Sequence, residues 1–409
     1  MHILFLTDNF PPEVNAPASR TYEHCREWVK AGNQVTVITG APNFPKGKLF
    51  DGYKNHLWQE ESMAGIRVIR VWTYITANEG FVKRTLDYLS FMVSSILASV
   101  FVKGVDVIVG TSPQLFTVCA AYIISLLKRV PWVFELRDIW PESIRVVGAM
   151  KQSKILDLLE KLELFLYRKA NIIVTVTHAF RATLISRGVD GNKIHVVTNG
   201  VDISRFTPRE KDKELLQKFD LHGKFVAGYI GTHGLAHDLD TLLDSAKTLK
   251  KTSGGEQFRI IMLGDGACKI ALRERAKVEG LDNVIFVDSV TKEQVVRFWS
   301  LLDASIIHLK KDDLFTKVIP SKLFECMGMA IPVLHGVQGE SADIVQREEV
   351  GLPFEPQNSD ALIIGLFRLA DDLALRQRLK MNGPKAAYKF DRSVLAMKML
   401  AYVNNVVRR

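Results

Sequence analysis

The sequence predicts two α/β domains, each a doubly wound parallel sheet covered by helices on both faces. Three observations lead to this prediction. The chain has 409 residues, which is too long for one ordinary hydrophobic core. Short apolar runs of strand type alternate with amphipathic stretches of helical period. A charged helical stretch at residues 207–219 interrupts the series, which then starts again with enough strands for a second sheet.

The predicted strands fall into two series. The first covers residues 2–7, 34–39, 66–72, 105–110, 132–136, 171–177 and 193–199, and the second covers 225–231, 258–264, 283–289, 304–309 and 331–336. Helical stretches between strands require crossover connections, which make the sheets parallel. Such sheets bind ligands at the carboxyl ends of their strands, so we expect the site in the cleft between domains. The predicted domains are residues 1–205 and 206–385, with a C-terminal helix at 386–409 that joins the first.

Net charge, cysteine spacing and the N-terminal pattern limit the kinds of partner and compartment that suit this sequence. The net charge is +9, and residues 1–205 carry +6 of it, with 24 Lys and Arg against 18 Asp and Glu. A basic balance suits nucleic acid, anionic lipid or an anionic substrate, but no nucleic-acid motif is present, so we expect no nucleic-acid partner. The four cysteines are far apart and form no CxxC pair, which favours reduced thiols in a cytoplasmic protein. The strand-like N-terminus predicts no signal peptide.

One apolar segment departs from the alternation. Residues 86–102, "LDYLSFMVSSILASVFV", are apolar on nearly every side but short and hydroxylated for a membrane span. Lys83 and Arg84 precede them, and Lys103 follows. One interpretation is a core helix packed on the first sheet, as for the apolar stretch at 115–129. The other is a helix whose apolar face meets an anionic membrane surface, which predicts peripheral attachment to the inner face of the cell membrane.

Two glycine turns follow strands of the second series. Gly231 and Gly234 allow close approach of a ligand to the backbone, and a helix predicted near Asp238 offers N–H groups to an anion. Gly264, in "LGDGAC", follows the next strand in the same way. Neither turn is a complete dinucleotide-binding motif, and each is also compatible with a purely structural turn. Asp238 and Asp240 spell DxD, but helix capping explains them better than a metal, and we predict no metal site.

The segment "PSKLFECMGMAIPVL", residues 320–334, carries a carboxylate in an apolar surrounding. Ser321 is predicted to cap a helix whose buried stripe contains Leu323 and Met327. Glu325 lies one turn beyond Ser321 on the same side of the helix, away from that stripe. With Lys322 adjacent, this face suits a ligand that has an anionic end and a hydroxylated end. The alternative is a capped surface helix with a solvated glutamate.

Ionisable residues also follow strands of the first series. "FELRDIWPES" places Glu135, Arg137 and Asp138 at the end of one strand, which is typical of an active-site edge, although a surface ion pair is the alternative. His178 follows another strand and is either a catalyst or a local hydrogen-bonding group. After the first strand, "FPPEVNAPASR" contains helix-start signals, and its residues are predicted to meet phosphate or a sugar; they include Asn15, Ala16 and Arg20.

Taken together, these segments resemble the retaining GT-B glycosyltransferases of family 4. The resemblance rests on the FPPE loop, residues 174–208 with "NGVD", "LGDG", residues 286–309 and "PSKLFECMGMAIPVL", and it covers essentially the whole chain. The sequence is similar to bacterial enzymes of O-antigen, capsule and exopolysaccharide synthesis, including N-acetyl-L-fucosaminyltransferases. The resemblance implies two facing Rossmann-like domains, the first for the acceptor and the second for a nucleotide-sugar donor, with no cofactor.

The resemblance also implies roles for individual residues. Glu325 would hold the ribose hydroxyls of the donor, and backbone amides at the preceding helix start, near Ser321 and Lys322, would meet the diphosphate. The family has a second glutamate eight residues earlier, where this chain has Lys317. The family's Arg and Lys after the first strand of the nucleotide domain are replaced by Thr232 and His237. The histidine expected near "FELRD" corresponds to Arg137 or Asp138.

The function predicted from the sequence is transfer of a sugar from a nucleotide diphosphate, expected to be UDP, to a lipid-linked saccharide. Asp138 would orient or deprotonate the acceptor hydroxyl. The expected donor is a UDP-N-acetyl-deoxyhexosamine such as UDP-L-FucNAc, and the acceptor is carried on a polyprenyl diphosphate. Two alternatives stay open: a nucleotide-sugar epimerase on the same fold, and a non-catalytic membrane scaffold.

Overall fold

The computed structural model describes residues 1–44, 47–76, 81–139 and 154–408. The chain divides into a first unit, Met1–Thr198 with Arg392–Arg409, and a second unit, Asn199–Asp391. The chain passes between the units twice, near Thr198 and near Asp391. The second-unit residues next to these two crossings pair with each other. Val201 donates its N–H to the Phe390 carbonyl at 2.9 Å and forms a parallel bridge with Asp391.

The secondary-structure elements alternate along the chain. The strands are β1 His2–Leu6, β2 Gln34–Gly40, β3 Trp58–Met63, β4 Ile66–Val71, β5 Val107–Thr111, β6 Trp132–Leu136, β7 Ile172–Thr175, β8 Ile194–Val196, β9 Phe225–Ile230, β10 Phe258–Leu263, β11 Val284–Val287, β12 Ala304–His308, β13 Val333–Gly336 and β14 Gly351–Pro353. The described helices are α1 Ala16–Lys30, α2 Phe81–Ser99, α3 Leu115–Lys128, α4 Lys154–Lys169, α5 His178–Ser186, α6 Lys213–Lys218, α7 Asp240–Leu249, α8 Lys269–Val278, α9 Lys292–Leu301, α10 Lys322–Gly328, α11 Glu340–Arg347, α12 Ser359–Asp371, α13 Leu373–Ala387 and α14 Arg392–Val407.

The first unit is built on a sheet with the strand order β3-β4-β2-β1-β5-β6-β7-β8. The described strand pairs are parallel except β3–β4, which is antiparallel. Ile3 and Phe5 share a core with residues of α1 and α14, and the Trp28 indole donates to the Ala396 carbonyl at 2.8 Å. On the other face α3 lies so close to β5 that a Cβ at Gly110 would overlap Ala121. This is the doubly wound arrangement that the sequence predicts.

The second unit has the parallel strand order β11-β10-β9-β12-β13-β14. Alternate residues of β9 enter two buried clusters, one on each face. Ala227 and Tyr229 pack with residues of α7 and α12, whereas Val226 and Ile230 pack with residues of α9 and α10. The prediction of two doubly wound α/β units is confirmed. The carboxyl ends of β9 and β10 lie side by side, because Ile230 pairs with Leu263.

Helix α2 and the turn after it bury only part of their apolar surface. Phe91 and Val102 are fully buried, which agrees with the core interpretation of this segment. Leu97 and Phe101, however, are 63% and 70% exposed, and Leu126 at the end of α3 is 59% exposed. Among the described helices, none combines the length and the apolar character needed to cross a membrane.

Candidate active site

Two glycine turns meet at the carboxyl ends of β9 and β10. Gly231 has φ 150° and donates its N–H to the Leu263 carbonyl at 2.9 Å. Gly264 has φ 148°, and a Cβ there would overlap the Gly231 carbonyl oxygen, so only glycine permits this approach. Beyond Gly231, the backbone N–H groups of Thr232 and Gly234 donate to none of the described residues. The turn therefore presents unpaired donors at the edge of the sheet where parallel folds bind ligands.

Lys322, the first residue of α10, extends to this turn. Its Nζ lies 3.7 Å from the centroid of the Tyr229 ring, and a Cβ added to Gly231 would come within 2.7 Å of it. The ring is held in place because the Tyr229 hydroxyl donates to the Thr232 carbonyl at 2.7 Å. The ammonium is buried and has no hydrogen-bond partner among the described residues. Burial lowers the pKa of Lys322 to about 8, against the raising effect of Cys326 and Glu325.

Two histidines complete the surroundings of the turn. His233 is fully buried, and neither of its ring nitrogens has a partner within the described part of the chain; the same holds for Nδ1 of His237. Burial lowers the pKa of His233 to about 4 and that of His237 to about 3, and the nearby Lys322 charge acts in the same direction. Both rings are therefore neutral near pH 7. Lys322 is therefore a cation at this turn whose ammonium donates to none of the described residues.

The remaining residues predicted in "PSKLFE" have different positions. Glu325 is half-buried, and its charge acts on Lys322 and on Cys326. Ser321 was predicted to cap α10, and this is wrong: its side chain makes no capping bond, and its φ of −58° and ψ of −29° are already helical. Lys317 ends a short 3₁₀ turn, Phe315–Lys317, and is half-buried.

Lys269 is a buried cation that the sequence analysis missed. Its Nζ donates to the Gly264 carbonyl at 2.7 Å and to Asp288 Oδ1 at 2.5 Å, so it supports the second glycine turn. No local pattern marks this lysine, which has the pattern of an ordinary residue of an amphipathic helix.

The two aspartates of the DxD pair have partners in the structure. Asp238 accepts from the Thr241 hydroxyl at 2.9 Å, and Asp240 pairs with Arg275 at 2.6 Å.

In the first unit, Glu135 and Arg20 form a buried pair. Arg20 is 3% exposed, and its Nε lies 2.9 Å from Oε1 of Glu135. The other guanidinium nitrogens donate to the carbonyls of Thr198 at 2.6 Å and Val197 at 2.9 Å. Burial raises the pKa of Glu135, but the charges of Arg20 and Arg137 outweigh it and hold this pKa below its usual range. Through Arg20, this pair connects α1 and β6 to Val197 and Thr198, where the first chain segment of the unit ends.

Arg137 and Asp138 follow β6 directly. Ser112, which follows β5, accepts the Arg137 N–H at 2.8 Å and the Asp138 N–H at 3.4 Å through its hydroxyl oxygen. This bond fixes the backbone of the turn, and both side chains are half-buried. The rest of the "RDIWPES" segment, residues 140–143, lies outside the described residues.

The other predicted residues of the first unit are spread along its edge. Asn15 caps α1, accepting the Ala18 N–H at 2.9 Å, and its amide also donates to Asn9 at 2.6 Å. Ala16 is the first residue of that helix. His178 begins α5 as an exposed residue, and the capping group is Thr177. Within the described ranges, no group of three or more His, Cys, Asp and Glu side chains could hold a metal ion. The metal-free mechanism stays a prediction.

Both units match known protein families. Residues 15–200 match the family described as glycosyl transferase 4-like domain, and residues 211–386 match the family described as glycosyl transferases group 1. This chain belongs to the glycosyltransferases. The family prediction is confirmed at this level, and the boundary between the two matches falls close to the division between the units.

A curated relative has the same assignment, and solved structures have the same fold. The chain is 22% identical over 320 residues to "Probable glycosyltransferase WbjE" of Pseudomonas aeruginosa, which is 78% of this chain and 76% of WbjE. Its fold is similar to sucrose-phosphate synthase from Thermosynechococcus elongatus, with TM-score 0.75, 15% identity, and coverage of 99% and 98% of the two chains. It is also similar to Anabaena Alr3699/HepE in complex with UDP-glucose, with TM-score 0.72, 16% identity, and coverage of 99% and 100%. The GT-B fold prediction is therefore confirmed.

Proposed function

We propose that this glycosyltransferase transfers a sugar from a UDP-sugar to a lipid-linked saccharide, with retention of the anomeric configuration. The matched families and WbjE are glycosyltransferases, and a structural neighbour is described in complex with UDP-glucose. These comparisons favour neither the epimerase nor the scaffold alternative. The proposal places the donor at the glycine turns of the second unit.

The observation that carries this proposal is the buried ammonium of Lys322, which has no hydrogen-bond partner among the described residues. A buried charge without a partner is costly, and natural sites retain one where a ligand supplies the counter-charge. The turn next to it offers the N–H groups of Thr232 and Gly234, and a side chain at Gly231 would block the approach. A diphosphate satisfies both features, because it is anionic and its oxygens accept several hydrogen bonds.

The chemistry follows from this placement. Negative charge develops on the diphosphate as the sugar leaves, and a fixed cation with oriented N–H groups stabilises that charge most when it is fully formed. Glu325 is proposed to accept two hydrogen bonds from the ribose hydroxyls, which positions the nucleoside. Asp138 is proposed to orient the acceptor hydroxyl or to remove its proton.

We further propose peripheral attachment to the membrane through α2 and the turn after it. Leu97, Val100 and Phe101 expose apolar surface there, and Lys103 follows directly. Apolar side chains beside cations match the chemistry of an anionic bilayer surface, which is where a polyprenyl-linked acceptor is found. Co-sedimentation with vesicles containing anionic lipid should fall at high salt and when Lys83, Arg84 and Lys103 are replaced by Ser. Absence of binding at low salt would contradict the proposal.

A donor and acceptor assay tests the reaction itself. Purified protein is incubated with a panel of nucleotide sugars, including UDP-N-acetyl-L-fucosamine, with and without a lipid extract that contains polyprenyl-linked saccharides. UDP release that requires the lipid acceptor supports the transferase. Isomerisation of the donor without acceptor would support the epimerase, and tight membrane binding without turnover would support the scaffold.

A further inference from the structure

The guanidinium of Arg137 has hydrogen-bond donors that none of the described residues uses. Its Nε and Nη1 are buried, and neither has a partner among the residues that the structure describes. The side chain starts from a fixed point, because the Arg137 N–H is held by the Ser112 hydroxyl at 2.8 Å. It follows β6, at the edge of the first sheet where the carboxyl ends of the strands meet.

The charges around Arg137 do not balance it. The described charged groups that act on it are one carboxylate, Glu135, and two guanidinium groups, Arg20 and Arg392. Glu135 already pairs with Arg20, and Arg392 pairs with Glu23. Burial lowers the pKa of Arg137 to about 10, opposed by Glu135, so the side chain is still charged near pH 7. Within the described part of the chain, Nε and Nη1 of Arg137 are therefore left without a carboxylate that bonds to them.

We propose that Arg137 binds an anionic group of the acceptor, either a phosphate or the carboxylate of an acidic sugar. A guanidinium offers either group a fixed positive charge and several N–H donors, and Nε and Nη1 of Arg137 are donors that no described residue uses. Oε2 of Glu135 is also buried and unpartnered within the described chain, so a hydroxyl beside the anionic group has an acceptor nearby. That the anion belongs to the acceptor rests on the proposed function, whereas the anion site itself does not.

The assigned role differs from that of Lys322. Arg137 lies in the first unit and Lys322 in the second, and each has buried donor nitrogens that bond to none of the described residues. The neighbouring Arg20 is no substitute, since its guanidinium is already bonded to Glu135, Val197 and Thr198. Among the described arginines near β6, Arg137 is thus the one with unused, buried donors.

Titration of small anions into the full-length protein tests the site. Inorganic phosphate and glucuronate are added by isothermal titration in the presence of saturating UDP, which occupies the proposed donor turn; glucose is the uncharged control. We expect binding of phosphate, glucuronate or both, and no binding of glucose. Preference for phosphate indicates the phosphate of the lipid carrier, and preference for glucuronate indicates an acidic sugar.

Three variants assign the binding to Arg137. Arg137→Gln should weaken the preferred anion by roughly 10- to 100-fold, as expected for loss of charge-assisted hydrogen bonds. Arg137→Lys keeps the charge and loses the planar donors, so its anion affinity should lie between those of Arg137→Gln and wild type. This variant guards against a folding defect. Arg168→Gln removes an exposed arginine of α4 and should bind as wild type. Equal anion affinity in wild type and Arg137→Gln would overturn the proposal, as would the absence of anion binding in wild type. If UDP does not bind, the proposed function is contradicted, but the anion site at Arg137 is not.

Discussion

Replacing Lys322 with Met separates the binding role of this residue from its structural role. Methionine keeps an unbranched side chain of similar length over the Tyr229 ring and removes the charge. The ammonium makes no hydrogen bond to the described residues, so its loss breaks none in the free protein. In the UDP complex the same change removes a charge-assisted interaction with the diphosphate, which typically contributes about 1.5–3 kcal/mol. At about 1.4 kcal/mol per tenfold change, UDP should bind roughly 10- to 150-fold more weakly.

The effect on stability should have the opposite sign. Taking an ammonium out of water without a partner opposes folding, and the contact with Tyr229 offsets only part of that, about 2 kcal/mol for a desolvated cation over a ring. An apolar side chain of similar volume in a buried charged position is often neutral or stabilising. We therefore expect the melting temperature of Lys322→Met to equal or exceed that of wild type.

The assay combines calorimetric titration of UDP with thermal unfolding in the absence of ligand. Lys251→Met, which removes an exposed lysine of the second unit, is the matched control and should change neither quantity. Wild-type UDP affinity in Lys322→Met would refute the donor assignment. A large fall in melting temperature would show that the lysine is needed for the fold, and weaker binding would then carry no information about the site.

Four further predictions test the site. Because the Lys322 pKa is about 8 and a bound diphosphate favours the charged lysine, UDP affinity should fall as the pH rises through about 8 in wild type, and titrations over this range should show no such step in Lys322→Met. Glu325→Gln should weaken UDP by about 1.5–3 kcal/mol without unfolding the protein, and unchanged affinity would remove Glu325 from the donor site. Asp138→Asn should lower the turnover number with little effect on UDP affinity, whereas an unchanged rate would move the base elsewhere. Gly264→Ala should destabilise the protein and impair UDP binding, since a Cβ there overlaps the Gly231 carbonyl; wild-type melting and titration curves would contradict the close approach of the two turns.

The alternation of strands and helices could be predicted from the sequence because it depends on local hydrophobic periodicity. The predicted strands of both series appear in the structure with their ends shifted by a few residues, and these strands pair in parallel as the crossover lengths require. Two short edge strands were missed. In β3, Trp58–Met63, polar residues dominate, and β14, Gly351–Pro353, has three residues, so neither carries a clear apolar pattern.

Local reasoning also failed where the conformation of one residue decided the outcome. Ser321 is a favourable capping residue by type, but its backbone is already helical, and a capping side chain requires an extended one. Asn15 was predicted only as a residue of the phosphate or sugar loop, and there the extended backbone, with ψ 163°, does allow a cap. Residue type alone does not distinguish the two cases.

The sequence by itself determined the fold class and placed Gly231, Glu325 and Lys322 as candidate donor residues. Only the tertiary structure decided which charges have partners. Arg20 was predicted to meet a ligand, which stays a prediction, and the fold bonds it to Glu135, a residue 115 positions away. Lys322 and Arg137 were candidates by their positions in the sequence, but only the fold shows that buried nitrogens of both have no partner among the described residues. Pairing depends on which strand ends and helices the sheet order brings together, and the sequence pattern of a single segment does not contain that information.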